Sequence, residues 1–517
     1  MENSTKISLF DRRGLIILPV LIYVLAAGYL LIEHDVLAGW GDPIEYMEGA
    51  ENLKEYDSPF HPPLYPAIVA GVRLITGDVF WAGKLVSFLS GIAVVILTWM
   101  LGRTCFNSNR VALLAASLVV LSPVMIRYSY VVGSDMLGTA LFLASVYVLA
   151  IAGRGSLKGL LIAGVIGGLA YLTRSVFMAI VPAALLFIFF ATPGRWGHRI
   201  AKSAWYLAAF VLTIAPWCII SIARHGNLNN LNYANVAFAM FDTTDSWLLF
   251  ETYAEQYGSA FALLINHPVE IARHMAGNAL SFPIDIVVRQ GYLAGLVALL
   301  GVFTWLRRPS PERIALLLSG ATVVLLTLLA WMNPRFFVPV MPVILLFAAY
   351  FTVNHLGRSL ASYWPRGAST TALLSKVPLR RYAVALVVLV ALVAVVIRVP
   401  DGFARDNVDD EKRAGLFLMQ NTPEDAAILT CSRNLAWYAD RPFVTMNLLG
   451  DVHPEQLDSL VRSTGAHVLV YTKRHSTYTH PQLEFLLEPD DERVPPSFRS
   501  IYRSEDEWPV VAYWIEN

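Results

Sequence analysis

Residues 40–66 read WGDPIEYMEGAENLKEYDSPFHPPLYP and form the first long polar stretch after an apolar run. Asp42 suits a helix N-cap, Pro43 the first helical position, and Glu45 completes a capping box. We therefore predict a short helix from residue 43 to about 56, followed by extended, kinked backbone at the prolines. Asp42 could cap the helix or take part in catalysis. The two roles are compatible, because a carboxylate has about four lone-pair sites.

The composition predicts a polytopic membrane protein. Of 517 residues, 56% are hydrophobic and only 15% are charged, whereas a soluble domain carries about 25% charged residues. The formal net charge is zero, and basic residues are scattered between apolar runs, unlike a nucleic-acid-binding surface. Cys105, Cys218 and Cys431 have neither metal-type spacing nor an obvious disulfide pairing.

The apolar runs predict an all-α membrane domain with about eleven transmembrane helices. The predicted spans lie near residues 14–33, 80–102, 111–127, 136–153, 157–173, 175–192, 203–223, 286–306, 313–332, 336–354 and 382–398. The first run resembles a signal peptide, but its length favours a retained helix. Residues 64–75 are too short to span and could be re-entrant or interfacial.

Loop charges predict the orientation in the membrane. With a cytoplasmic N-terminus, most basic residues of the membrane domain fall on cytoplasmic segments, as the positive-inside rule requires. Residues 40–66, the loop 224–285 and the C-terminal tail would then lie outside the cytoplasm. The loop 224–285 contains apolar helical stretches and is expected to lie along the membrane surface.

From Pro400 onward charged residues become frequent, and strand and helix patterns alternate. Residues 426–430 and 466–471 resemble buried strands, and residues 411–420 and 454–461 resemble helices. We therefore predict a membrane domain over residues 1–398 and a small extracytoplasmic α/β domain over residues 399–517. The second domain lacks a nucleophile elbow, a glycine fingerprint or a metal cluster, which indicates a positioning or acceptor-binding role.

Several charged side chains lie where predicted spans meet the outer face. A charged Asp135 at the membrane edge is energetically costly unless it is functional or paired. It could take part in catalysis, or it could cap the next helix and pair with Arg127. Arg174 and Arg335 could pair with lipid headgroups, or bind a phosphate through the guanidinium fork. Glu270 and His274 share a helix face, but no further metal ligands follow.

In the order of its motifs, the chain resembles polytopic glycosyltransferases of the GT-C fold that use polyprenyl-phosphate sugars. The closest groups are bacterial protein mannosyltransferase-like enzymes and aminoarabinose transferases of lipid A. The resemblance covers nearly the whole chain and ends in a C-terminal α/β domain. Its motifs are the acidic loop ending in PPLYP at residues 42–66, Ser122-Pro123 followed by Asp135, Thr173-Arg174, and Arg335-Phe336 followed by Pro339 and Pro342.

The resemblance implies roles for these residues. Asp42 would be the catalytic base and Asp135 a second catalytic or acceptor-orienting acid. His61 stands where some relatives carry a phosphate-binding lysine, so Arg174 and Arg335 are better candidates for constant positive charge. We also assign substrate binding to three further residues: Glu45, Tyr46 and Arg127. The adjacent Asp-Glu pair of many relatives is Asp42-Pro43 here.

The implied reaction is the transfer of a sugar from a polyprenyl-phosphate, such as undecaprenyl phosphate, to an acceptor hydroxyl on the outer face of the plasma membrane. A direct displacement would invert the anomeric centre. Glycan, lipid or protein could be the acceptor. Neither a P-loop nor a placed dinucleotide fingerprint is present, and no cofactor or divalent metal is indicated. The alternatives are a lipid-linked glycan ligase or polymerase and a lipid or sugar transporter.

Overall fold

The computed structural model describes residues 13–35, 37, 41–152, 156–226, 228, 231–241, 250–289, 292–305, 310–329, 333–356, 408–450, 452–505 and 507–516. These residues form two compact units. The first contains the described residues of Met1–His34, Gly49–Asn230 and Val269–Gly402, and the second those of Asp35–Glu48, Leu231–Pro268 and Phe403–Asn517. The predicted domain boundary near residue 398 lies outside the described residues and stays a prediction.

The first unit is helical. Its helices are α1 (Ile17–Glu33), α3 (Leu64–Thr76), α4 (Val79–Phe106), α5 (Asn109–Val120), α6 (Pro123–Arg127), α7 (Asp135–Ala152), α8 (Leu157–Thr173), α9 (Ile180–Ala191), α10 (Trp196–His225), α14 (Pro268–Arg289, whose first residue belongs to the second unit), α15 (Tyr292–Trp305), α16 (Pro311–Thr327) and α17 (Met341–Phe351). Helix α2 (Asp42–Glu51) lies in the second unit up to Glu48 and ends in the first. Short 3₁₀ helices at Ser175–Ala179 and Pro334–Phe337 precede α9 and α17.

Every predicted span from 14–33 to 336–354 contains helix, while the span 382–398 lies outside the described residues. Four described helices are long and apolar enough to cross a membrane, namely Gly14–Glu33, Val79–Phe106, Asp135–Ala152 and Trp196–His225. One predicted span is wrong in detail. Residues 111–127 do not form one helix, because Pro123 cannot donate a backbone hydrogen bond and Ser122 before it is extended.

Small residues allow helices of this unit to approach closely. A Cβ added at Gly102 on α4 would lie 2.6 Å from the Cα of Ala112 on α5, and one at Gly168 on α8 would lie 2.7 Å from Cβ of Thr213 on α10. Such contacts are typical of membrane helices, whose association depends on packing rather than on exclusion of water.

A lysine from α4 caps the C-terminal end of α1. Lys84 is 1% exposed, and its ammonium donates to the carbonyl oxygen of Leu31 at 2.6 Å and to that of His34. The same ammonium lies 4.6 Å from the ring centroid of Trp81. A cation at the negative end of a helix satisfies carbonyl groups that lack intrahelical donors.

The second unit contains the helices α11 (Asn232–Phe241), α12 (Phe250–Tyr257) and α13 (Ala260–Asn266), together with a five-stranded sheet. The strands are β1 (Ile428–Thr430), β2 (Phe443–Thr445), β3 (Val468–Thr472), β4 (Phe498–Arg503) and β5 (Val510–Ile515), in the order β2-β1-β3-β5-β4. The helices of the sheet region are α18 (Asp409–Asn421), α19 (Arg433–Ala439), α20 (Leu457–Ser463) and α21 (Ser476–Thr479). Strands β1, β2 and β3 are parallel, and β5 is antiparallel to β3 and β4.

Alternating side chains of the sheet enter two cores, as the period-2 geometry of strands requires. Ile428, Val468 and Val510 pack with α18 and α19, whereas Leu429, Leu469 and Val511 pack with α20 on the other face. The predicted α/β domain is therefore confirmed as a layered structure, with its predicted strands at β1 and β3 and its predicted helices at α18 and α20.

Substitution of Lys84 tests its hydrogen bonds to the carbonyl oxygens at the end of α1. We expect Lys84→Met to lower the stability of the detergent-solubilised protein by about 1–3 kcal/mol, because buried carbonyl oxygens lose a charged donor. Thermal unfolding followed by size-exclusion chromatography measures this loss. Lys158→Met, at an exposed position on α8, is the matched control. Equal unfolding midpoints of the two variants would contradict the capping role.

Candidate functional site

A buried carboxylate with two arginines forms the centre of the site. Asp135 opens α7 and is only 4% exposed. Its Oδ1 accepts a hydrogen bond from Nη1 of Arg174, and its Oδ2 accepts one from Nε of Arg335 at 2.9 Å. The structure therefore brings together three of the residues that the sequence singled out separately. The alternative pairing of Asp135 with Arg127 is wrong within the described residues, where both ion pairs of Asp135 are with Arg174 and Arg335.

Two guanidinium groups face the single carboxylate of Asp135. Arg174 is 14% exposed and Arg335 22%, so both cations reach from the interior toward the surface of the unit. The Arg174 guanidinium also lies 5.9 Å from the ring centroid of Phe336. A partly desolvated pair of forked donors is well suited to bind an anion with several oxygens, such as a phosphate.

Local sequence explains how the two arginines are presented. Arg174 ends α8 in extended conformation, and the 3₁₀ helix Ser175–Ala179 follows it. Asn333 caps the second 3₁₀ helix by accepting a hydrogen bond from the backbone N–H of Arg335 at 3.0 Å. Phe337 at the end of this helix is fully buried and stacks on Phe282 with a centroid distance of 5.4 Å.

The turn before Asp135 is held by the tyrosine of the PPLYP motif. The buried hydroxyl of Tyr65 accepts a hydrogen bond from the backbone N–H of Gly133 at 2.9 Å and donates to the carbonyl oxygen of Gly83 at 3.0 Å. Ser87 Oγ donates to the carbonyl oxygen of Gly133 at 3.1 Å. Both backbone groups of Gly133 are thereby fixed two residues before Asp135, and α3 and α4 set the position of the carboxylate.

Arg127 lies in a separate contact of the first unit. It is 6% exposed, and its Nη1 donates to the hydroxyl of Tyr130 at 3.0 Å. The Tyr130 ring stacks on His34 with a centroid distance of 5.3 Å. Arg127 thus connects α6 with the residue that follows α1.

His61 is half-buried, and both of its backbone polar groups are hydrogen-bonded. Its N–H donates to Ser58 Oγ at 2.9 Å, and its carbonyl oxygen accepts from the hydroxyl of Tyr56 at 3.0 Å. The preceding backbone is fixed by Arg224 at the end of α10, which donates to the carbonyl oxygens of Lys54 and Tyr56 at 2.8 and 3.0 Å. Within the first unit, α10 therefore anchors this half of the polar loop.

The other half of the polar loop belongs to the second unit. Helix α2 begins at Asp42, and the N–H of Glu45 donates to the carbonyl oxygen of Gly41 at 3.1 Å. Tyr46 is fully buried, and Glu45 is partly buried. Of the predicted site residues, Asp42, Glu45 and Tyr46 thus lie in the second unit. The other five lie in the first unit, namely His61, Arg127, Asp135, Arg174 and Arg335.

The predicted C-terminal end of this helix is wrong. Helix α2 ends at Glu51 rather than near residue 56. The Asn52 side chain donates to Glu55 Oε2 at 2.6 Å, and the Asn52 carbonyl oxygen accepts from the Glu55 N–H at 3.1 Å. A short side chain that bonds nearby groups competes with helical hydrogen bonding and favours a turn.

Sequence reasoning missed Tyr65, which supports the turn before Asp135, and Lys84, which binds the end of α1. Tyr65 lies within the PPLYP motif, and no local pattern indicates a hydrogen-bond partner 68 residues away. A signal for Lys84 was present in the sequence, because a lysine within an apolar helix needs a partner.

In the described part of the chain, no group of three or more histidine, cysteine, aspartate or glutamate side chains could hold a metal ion. His274 of the Glu270–His274 pair accepts a hydrogen bond from Asn278 Nδ2 at 3.0 Å. Asn278 also donates to the carbonyl oxygen of Leu328 at 2.9 Å. These contacts join α14 to the end of α16.

Comparison with known proteins confirms the fold. Residues 60–220 match the family model of dolichyl-phosphate-mannose-protein mannosyltransferases. ArnT from Cupriavidus metallidurans bound to undecaprenyl phosphate superposes with a TM-score of 0.63 at 14% identity, covering 96% of this chain and 98% of that chain. Its apo structure gives a TM-score of 0.62 at the same identity and coverage.

A second solved structure shares this architecture. The archaeal oligosaccharyltransferase AglB from Archaeoglobus fulgidus, in complex with an inhibitory peptide and a dolichol-phosphate, has a TM-score of 0.55 at 14% identity. The alignment covers 88% of this chain and 69% of that one. The chain therefore has the GT-C fold that its motifs resembled. Comparison with curated protein sequences gives no significant match.

The paired charges predict energetic coupling between Asp135 and Arg335. Arg335→Met would leave the buried carboxylate with one guanidinium, and we expect a loss of about 1–3 kcal/mol of stability. Asp135→Asn combined with Arg335→Met should cost less than the sum of the single substitutions, by about 0.5–3 kcal/mol. Thermal unfolding of the four proteins measures this cycle. Additive effects would show that the two side chains act independently.

Proposed function

We propose that this chain is a membrane glycosyltransferase that moves a sugar from a polyprenyl-phosphate donor to an acceptor hydroxyl on the outer face of the plasma membrane. The observation that carries the proposal is the cluster of buried Asp135 with half-buried Arg174 and Arg335, whose two guanidinium forks suit the oxygens of a phosphate. The fold supports it, because ArnT binds undecaprenyl phosphate and AglB was solved with a dolichol-phosphate. Orientation with a cytoplasmic N-terminus and an outer C-terminal domain is part of the proposal.

In this mechanism Asp42 accepts the proton of the acceptor hydroxyl as its oxygen attacks the anomeric carbon. The bond between the sugar and the phosphate oxygen breaks, and the electron pair remains on the phosphate. Arg174 and Arg335 stabilise the negative charge that grows there, with His61 as a further donor. Asp135 orients the two guanidinium groups. Attack from the face opposite the leaving group inverts the anomeric centre.

Glu45, Tyr46 and Arg127 complete the proposed substrate-binding set. The energy of the reaction comes from cleavage of the bond between the sugar and the lipid phosphate, so no nucleotide is required. Apolar helices are proposed to bind the prenyl chain. A lipid-linked glycan ligase is the second candidate, and the similarity to the oligosaccharyltransferase AglB favours it. The two functions differ in whether a single sugar or a preformed glycan leaves the lipid.

The decisive test uses purified protein with radiolabelled polyprenyl-phosphate sugars and with lipid-linked oligosaccharides. We expect release of polyprenyl phosphate from one single-sugar donor without a membrane gradient. Asp42→Asn should reduce the rate more than about a hundredfold, since general base catalysis contributes about 10²–10⁴-fold. Glu51→Gln is the matched control, because Glu51 ends the same helix in an exposed ion pair with Arg73.

Each outcome of this assay has a distinct meaning. Turnover of oligosaccharide donors alone would favour the ligase. Equal rates for the wild type and Asp42→Asn would show that Asp42 is only a helix cap. Absence of donor turnover in all proteins, together with gradient-dependent movement of lipid in liposomes, would replace the transferase with a transporter.

The proposed phosphate contacts predict a difference between arginine and lysine. Arg335→Lys keeps the charge but loses the forked geometry, and we expect kcat/KM for the lipid donor to fall about 10- to 100-fold. Arg313→Lys is the control, because Arg313 Nε likewise donates one hydrogen bond, but to the carbonyl oxygen of Cys105 at 2.9 Å and outside the Asp135 cluster. Kinetics with varied donor concentration give the result. Equal effects of both substitutions would contradict a special role for Arg335.

A further inference from the structure

The segment that carries Asp42 is fastened to the sheet region of the second unit. The backbone N–H of Leu37 donates to the buried hydroxyl of Tyr438 at 2.6 Å. Lys412 Nζ lies 2.8 Å from Oδ2 of Asp35 and donates to the Asp35 carbonyl oxygen at 3.1 Å. Arg433 forms an ion pair with Glu48. The contacts therefore hold this segment on both sides of Asp42.

The three side chains that contact this segment belong to two closely packed helices. Lys412 belongs to α18, and Arg433 and Tyr438 belong to α19. A Cβ added at Gly415 of α18 would lie 2.6 Å from the Tyr438 Cβ and 2.7 Å from the Leu435 carbonyl oxygen. The absence of a side chain at Gly415 thus permits the close approach that sets the position of Tyr438.

A buried acid fixes the start of α19 as well. Glu411 is fully buried, and its carboxylate accepts hydrogen bonds from Ser432 Oγ at 2.5 Å and His475 Nδ1 at 2.6 Å. Ser432 is the N-cap of α19, and its Oγ accepts from the N–H of Leu435 at 3.2 Å. Arg433 follows directly, so the position of its side chain depends on a network that is internal to the second unit.

This platform lies at a characteristic place in an α/β sheet. Strand β1 has parallel neighbours on both sides, β2 and β3, and the chain passes from β1 through α19 to β2 before it returns to β3. Open α/β sheets bind ligands beside the carboxyl ends of strands where the strand order reverses. Helix α19 begins at that end of β1, and its first residue binds Glu48 of the chain itself.

We propose that α18 and α19 form a positioning platform for the Asp42 segment, with Tyr438, Lys412 and Arg433 as its positioning residues. The inference rests on the proposed function, in which Asp42 is the general base. A base must lie within hydrogen-bond reach of the proton that it removes, and small displacements reduce the rate strongly. The C-terminal domain thereby acts on the reaction through the position of Asp42.

Tyr438 is the strongest of the three contacts. Asp35 and Glu48 are 63% and 48% exposed, and water weakens ion pairs of that kind. The hydrogen bond from Leu37 to Tyr438 is buried, and a buried N–H that loses its acceptor cannot turn to water. Burial also raises the pKa of Tyr438, so its hydroxyl keeps its proton at physiological pH.

Tyr438→Phe in the full-length protein tests the platform. We expect kcat for sugar transfer to fall at least tenfold with little change in donor KM, and amide hydrogen exchange to accelerate within residues 35–48. Tyr513→Phe is the matched control, because its buried hydroxyl donates to the Leu486 carbonyl oxygen at 2.7 Å in the same sheet region. Equal losses of kcat in both variants would reveal a general structural effect and overturn the proposal.

Hydrogen exchange separates this inference from the proposed function. If the wild type transfers no sugar, faster exchange confined to residues 35–48 in Tyr438→Phe still supports the platform, and unchanged exchange overturns it. If exchange accelerates but kcat equals that of the wild type, positioning of the base is overturned. Should Tyr438→Phe fail to fold, Glu48→Arg and Arg433→Glu replace it. Each alone should lower kcat, and the double substitution should restore it, whereas no restoration overturns the proposal.

Discussion

The ion pairs of Asp135 are the constraint on which the helical unit depends. A carboxylate that is 4% exposed in so apolar a protein would be costly without partners, and the two guanidinium groups offset this cost. Arg174 and Arg335 lie 39 and 200 residues away in the chain. The pairing therefore joins the start of α7, the end of α8 and the 3₁₀ helix before α17. It also concentrates positive charge at one place.

The fold class could be predicted from the sequence because both determining signals are local. Apolar runs of spanning length predicted the helices, and short buried-strand patterns after residue 400 predicted β1 and β3. Prediction failed where backbone chemistry within a run decides the outcome, as at Pro123, which separates α5 from α6. Strands β4 and β5 were also missed. They form an antiparallel pair, and the outer strand β4 has Phe498 as its one buried residue, so the hydrophobic pattern of β4 is weak.

The candidate site could be predicted as a set of residues but not as an arrangement. Asp135, Arg174 and Arg335 were each conspicuous, since charges are rare beside membrane spans. Their mutual contacts depend on helix packing, which no local pattern contains. The same limit hid the hydrogen bond between Tyr65 and Gly133. A tyrosine in an apolar helix predicts burial, whereas its acceptor and donor partners follow only from the approach of α3 to α4 and to the turn before α7.

The polar loop of residues 40–66 and the residues just before it are held by distant parts of the chain. Residues 54–57 are held in the first unit by Arg224 and by a hydrogen bond between His225 Nε2 and Asp57 Oδ2 at 2.6 Å. Leu37 is held in the second unit by Tyr438, 401 residues later. The capping and proline patterns of the loop predict its local backbone. They do not predict its contacts with Arg224 or Tyr438. The C-terminal domain has no catalytic motif of its own, yet it fixes the backbone at Leu37, five residues before Asp42. It can therefore influence catalysis through the position of Asp42.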